Sequence, residues 1–92
     1  MREKYIEKKL CEEVIKRGGL CEKWNSGKAG WPDRIILLPG GKVGFVELKA
    51  PGKKPRPLQA HRHFQLWDLG QLLFVIDDVS QIGGVLNEIQ VS

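Results

Sequence analysis

DRIILLPGGKVGFVELK, Asp33–Lys49, is the stretch that decides how this 92-residue chain folds. Arg34–Leu38 contains the unbroken apolar run Ile-Ile-Leu-Leu, which suits a strand covered on both sides. Pro39-Gly40-Gly41 is turn chemistry, and Val43–Ala50 reads as the returning strand of a hairpin. That returning strand carries Glu47 and Lys49 among Val43, Phe45, Val46 and Leu48. Ionised side chains in a buried strand are costly unless they are paired or meet a metal. Residues two apart share one face of a strand, roughly 6.5–7 Å apart along it. Glu47 and Lys49 therefore form one polar spot on one face of a sheet.

Upstream of the hairpin, residues 4–17 repeat apolar side chains at helical spacing: Ile6, Leu10, Cys11, Val14 and Ile15. Gly18-Gly19 ends that helix, with Lys16 and Arg17 in its last turn, where the helix dipole favours cations. Leu20–Trp24 suits a short strand, and NSGKAGWP a loop. Downstream, APGKKPRP is a loop stiffened by three prolines. Pro57 opens a second helix running to about Leu69, capped by Gly70, with Ala60, Phe64 and Trp67 as its inward stripe. Leu72–Ile76, all apolar, reads as a central strand. Asp77-Asp78 closes it, and Ser80 caps a last helix to about Ile89. The order α-β-β-β-α-β-α predicts an α/β fold, a small mixed sheet flanked by helices with a further helix at the C-terminus.

The length predicts one domain over residues 1–92, small enough to gain from dimerisation. Hydrophobic residues make up 41% and charged ones 28%, which excludes a disordered arm. The formal charge of +4 is modest, but its placement is not. Lys42, Lys49, Lys53, Lys54, Arg56 and Arg62 share a segment whose sole acid is Glu47, which suits either an anionic partner such as nucleic acid or a solvated positive face. Cys11 and Cys21 have neither zinc-ligand spacing nor a CxxC pairing, and read as reduced thiols. No apolar run suggests a signal core or a membrane span, so a soluble, cytoplasmic protein is expected. Gly40-Gly41-Lys42 lacks the spacing of a phosphate-binding loop, so no nucleotide cofactor is expected.

Asp33 is the acid best placed to join Glu47. A three-residue loop at Pro39-Gly40-Gly41 pairs 38 with 42, and stepping back pairs 33 with 47. A two-residue turn would instead put the two acids on opposite faces. Two carboxylates that close repel unless a cation sits between them. On the first helix, at roughly 100° per residue, Glu7 falls inside the apolar arc, whereas Glu12 and Glu13 fall outside it. Glu3 also falls inside, but at the helix end, where a capping role is simpler. Asp33 and Glu47 are hard oxygen donors suited to Mg²⁺ or Mn²⁺, with the Ala50 carbonyl able to complete the shell. Such an ion would polarise a phosphate and activate water, and Lys49 would orient that water or stabilise the growing charge. Gln59 could hydrogen-bond the water or a phosphate, with Glu7 in support.

GWPDRIILLPGGKVGFVELKAPGKKPRPLQ resembles the signature of the virus-type replication-repair nuclease (VRR-NUC) family, within the PD-(D/E)xK nuclease superfamily. Pro32-Asp33 matches the PD element, Glu47-Leu48-Lys49 the (D/E)xK element, and Arg56-Pro57-Leu58-Gln59 the following glutamine motif. Ile6-Glu7-Lys8-Lys9-Leu10 followed by Gly18-Gly19 is similar to the family's first helix with its acid. The resemblance implies a restriction-endonuclease-like α-β-β-β-α-β core. It also implies a metal-dependent endonuclease, homodimeric, acting on branched DNA such as four-way (Holliday) junctions in a bacterial or phage-infected cell. Trp31 is bulkier than the small aliphatic residue expected before Pro32-Asp33, and core filling is its simplest role. Under this reading Lys28, Lys53, Lys54, Arg56 and Arg62 would grip the DNA backbone, supplying affinity without reading sequence.

Other residues carry blander expectations. His61 and His63, two apart on a helix, face different ways and read as surface or packing side chains. Trp24, Phe64 and Trp67 read as core, and Asp77 and Asp78 as turn or cap residues. Two rivals stay open on sequence alone: a DNA-binding module without catalysis, and a nuclease of the same chemistry acting on flaps, nicked duplex or RNA.

Overall fold

In a computed structural model, which describes residues 2–92, the sequence's hairpin is the middle of a four-stranded sheet. The elements are α1 (Glu3–Lys16), β1 (Leu20–Lys23), β2 (Arg34–Leu38), β3 (Lys42–Leu48), α2 (Pro57–Asp68), β4 (Leu73–Ile76), a 3-10 turn (Val79–Gln81) and α3 (Ile82–Val91). Strands β1, β2 and β3 run antiparallel in sequence order, and β4 joins β3 in parallel. This is the expected mixed α/β sheet flanked by helices.

The hairpin register is the one a three-residue loop demands. Leu38 pairs with Lys42, and Arg34 with Val46. Gly40 and Gly41 make the turn with φ of 86° and 74°, a backbone state that costs glycine nothing. One step further along this register come Asp33 and Glu47, directly opposed.

Alternation along β3 separates two cores. Val46 and Leu48 face the larger one, with Ile6, Leu10 and Val14 of α1 and Ile82, Leu86 and Ile89 of α3. Phe45 faces the other, with Leu66 of α2 and Leu73, and Trp31 and Ile35 pack against it. Glu47 and Lys49 share parity with Phe45, so the polar spot belongs to the α2 side. Gly44 lets α3 lie close, since a Cβ there would meet Ile89 Cδ1 at 2.5 Å.

Several expectations need correction. The buried residues of α1 are Ile6, Leu10 and Val14, a strict four-residue repeat, so Ile15 at the edge of the stripe is 67% exposed. Strand β4 is an edge strand, not a central one. Its apolar run reflects helices covering both of its faces rather than a place in the middle of the sheet. The inward face of α2 holds His63 and Leu66, while Phe64 and Trp67 are exposed. The buried arc lies roughly 100° round the helix from the aromatic stripe because α2 packs over Glu47, which needs polar partners. Trp24 is likewise exposed, edge-on to Phe45 at 5.5 Å, while Trp31 packs inward as expected. Asp78, not Ser80, caps the last helical segment, accepting from the Ser80 N–H at 2.9 Å. The N-terminal neighbour of α1 is Arg2, and no side chain caps the helix, so Glu3 has no capping role.

Candidate active site

Asp33 is fixed at both ends. Its carbonyl accepts from the Trp24 N–H at 2.9 Å, prolonging the β1–β2 pairing, and its Oδ2 accepts from the Leu48 N–H at 2.8 Å. The carboxylate is thereby held against the end of β3. Opposite it, Glu47 is 1% exposed. The Lys49 ammonium stands 3.8 Å from Glu47 Oε2, and the Lys49 N–H, donating to the Ile76 carbonyl at 3.0 Å, anchors the strand end.

Gln59 completes this side. Its Oε1 accepts from the Arg56 N–H at 2.9 Å, which leaves its Nε2 to donate to Glu47 Oε2 at 3.2 Å. The glutamine thus holds the acid. Burial, a hydrogen bond to the Asp33 carboxyl and the Asp33 charge push the pKa of Glu47 up to about 8, against the opposing pull of Lys49. Glu47 Oε1 is buried and has no hydrogen-bond partner.

Such an arrangement could accept a cation. Burial and the neighbouring Asp33 make Glu47 costly to ionise, and one of its oxygens lacks a donor; a divalent ion would answer both. Among the described residues no three His, Cys, Asp or Glu side chains converge to cage an ion alone. A hard cation such as Mg²⁺ takes one or two carboxylates and keeps room for water and phosphate. The Ala50 carbonyl accepts from the Lys53 N–H at 2.9 Å, within the turn after β3, and retains its second lone pair.

Glu7 stands apart from this cluster. It arrives from the α1 side of the sheet and pairs with Arg34, whose Nε donates to Oε2 at 3.0 Å while Nη1 donates to the Cys21 carbonyl at 3.2 Å. Glu7 does meet Asp33 across a cleft of about 410 Å³, whose walls also carry Glu3, Lys28 and Trp24. The charge of Glu3 also raises the pKa of Glu47, so Glu3 belongs to this acidic environment. Lys28, Lys53, Lys54 and Arg56 are exposed in the loops around the site. Arg62 is committed elsewhere: its Nη1 donates to Gln65 Oε1 at 3.0 Å and its Nε reaches the Ala29 carbonyl at 3.5 Å.

His63, read from the sequence as a surface or packing side chain, is buried and packs on the acid. Its ring is buried against Glu47, with Nε2 at 3.5 Å from Oε1. Burial, ahead of the Lys49 charge, lowers its pKa. The signal was present in the sequence: Gln59 and His63 are one helical turn apart and must share a face.

No sequence-family profile matches the chain. It is 48% identical over 90 residues to "Putative nuclease p44" of Acyrthosiphon pisum secondary endosymbiont phage 1, covering 95% of this chain and 97% of that protein. A solved structure of a VRR_NUC domain superposes with a TM-score of 0.85 at 31% identity, covering 92% of this chain and 94% of the other. The chain belongs to the VRR-NUC family of nuclease domains. Of the residues carrying the VRR-NUC resemblance, Asp33, Glu47, Lys49 and Gln59 converge on one spot, and Glu7 stands at its rim on Arg34. No helix among the described residues is long and apolar enough to cross a membrane.

Proposed function

We propose that this VRR-NUC chain is a Mg²⁺- or Mn²⁺-dependent endonuclease. It hydrolyses phosphodiester bonds in branched DNA as a Holliday-junction resolvase does, working as a homodimer in the cytoplasm of a bacterial or phage-infected cell, each 92-residue chain serving as one nuclease domain. The observation that carries this reading is the meeting of Asp33 and Glu47 at the end of β3 beside Lys49, with Glu47 Oε1 unpartnered.

Asp33, Glu47 and the Ala50 carbonyl would hold the ion. When bound, it supplies Lewis-acid polarisation of the phosphate and a lowered pKa for water. Lys49 orients the attacking water and offsets negative charge on the transition state. Gln59 acts through Glu47, keeping its carboxylate turned toward the ion. Glu7, held by Arg34, and Glu3 add negative charge at the rim and draw the cation inward. Lys28, Lys53, Lys54 and Arg56 grip backbone phosphates, which selects DNA by shape rather than by sequence. Arg62 ties the Ala29 loop to α2 and supports that grip indirectly. The exposed Phe64 and Trp67 of α2 offer an apolar face for a second copy, which would place two sites for paired cuts.

A substrate panel tests the proposal: a labelled four-way junction, the matching linear duplex, a flap, a nicked duplex and RNA, each with Mg²⁺, Mn²⁺ or EDTA. Symmetric, metal-dependent cutting of the junction, lost in Asp33→Asn and Lys49→Ala, is the expected result. Binding with no cleavage on any substrate would leave a binding module.

A further inference from the structure

The face that α2 turns to the sheet is polar at its centre. Gln59 and His63 lie one helical turn apart on it and approach different oxygens of one carboxylate. Gln59 Nε2 donates to Glu47 Oε2 at 3.2 Å, and His63 Nε2 stands 3.5 Å from Glu47 Oε1. That second distance is just beyond a hydrogen bond. Both facing atoms, His63 Nε2 and Glu47 Oε1, are buried without a partner. The imidazole side chain is 2% exposed and packs edge-on to Trp67 at 5.8 Å.

Packing alone does not explain this arrangement. An apolar side chain would fill the same space without burying an idle ring nitrogen against an acid. We infer that His63 is a positioning residue: from α2, His63 and Gln59 form a two-point clamp that fixes the rotation of the Glu47 carboxylate, His63 engaging Oε1 and Gln59 engaging Oε2. Each carboxylate oxygen has two lone pairs, so an oxygen held by α2 can still bind a cation. Polar groups that orient metal ligands in this way typically change metal affinity or activity 10–100-fold when removed. This inference rests on the nuclease reading above and extends it to a residue outside the motif.

The test compares His63→Leu, which keeps bulk and removes the ring nitrogens, with His63→Gln, whose amide N–H can reach toward Oε1. His63→Met replaces the leucine variant if leucine prevents folding. Three quantities are read: Mn²⁺ affinity of the DNA-free protein by calorimetry, kcat and KM on whichever nucleic acid the native protein cuts, and thermal stability. The apolar variant is expected to lose Mn²⁺ affinity and kcat by about tenfold or more with KM little changed. His63→Gln is expected to restore most of both. An apolar variant with native Mn²⁺ affinity and native kcat overturns the inference. So does equal loss in both variants that merely tracks a lowered Tm. If the native protein binds no Mn²⁺ and cuts nothing, the nuclease reading falls and this inference with it, an outcome distinct from the other two.

Discussion

Glu47 is where burial and charge meet. Its folded-state pKa of about 8 lies well above the ordinary 4.5, chiefly through burial and then through Asp33. Between those values the folded protein keeps a proton that the unfolded chain has released, so stability falls as pH rises. His63 acts in the opposite sense below its ordinary value of 6.5, because burial lowers its pKa. Above that pH only Glu47 of the two contributes. In EDTA, thermal unfolding should therefore show stability declining from pH 6.5 to 8, by at most about 1.4 kcal/mol per pH unit. Glu47→Gln should flatten that decline. At pH 8, added Mg²⁺ or Mn²⁺ should raise the Tm of the native protein and leave that of Glu47→Gln unchanged. Lys49→Ala should keep metal affinity and lower kcat by about 10²–10³-fold, measured under single-turnover conditions. At this scale the sequence was informative where a residue type clashed with its surroundings. An acid and a lysine in an apolar strand are conspicuous, and Asp33 follows from the register. His63 and Glu3 were not conspicuous, since a histidine on a helix and an acid at its start both have ordinary explanations.

At the scale of elements, what the sequence made legible was local pairing, and what it hid was which surface faces which. The Pro39-Gly40-Gly41 loop fixed the hairpin register, and with it the meeting of two acids fourteen residues apart. The orientation of α2 was misread because Phe64 and Trp67 carry the largest apolar area on that helix. What decides its rotation is the need of Glu47 for Gln59 and His63, a demand made by a different element. The position of β4 was misread for a related reason: an apolar strand reports covered faces, and says nothing of its neighbours in the sheet. The close approach of α3 to β3 gives a direct prediction. Gly44→Ala should drive a methyl into Ile89 and destabilise the protein by about 1–3 kcal/mol, seen as a lower denaturant midpoint at unchanged m.

For the whole molecule, the fold brings an acidic pocket and a basic rim together. The acids Glu3, Glu7 and Asp33 line one cleft with Lys28, Glu47 lies beside Asp33, and Lys53, Lys54 and Arg56 are exposed in the loop after β3. This division predicts that salt and metal act on separate steps. Raising salt should weaken DNA binding steeply with little change in single-turnover cleavage of bound substrate, and Lys53→Ala with Lys54→Ala should reduce the salt dependence. For the proposed dimer through the exposed apolar face of α2, Phe64→Ser should shift sedimentation toward monomer while altering unfolding by no more than about 0.5 kcal/mol per chain. In the proposed mechanism Asp33 and Glu47 hold a divalent ion at the end of β3. Crystals grown with Mn²⁺ and measured for anomalous scattering test it most directly. The expected result is a Mn²⁺ peak in contact with both carboxylates, absent in Asp33→Asn. A fully cleaving protein whose Mn²⁺ lies elsewhere, with both carboxylates free of it, would contradict a metal role for Asp33 and Glu47.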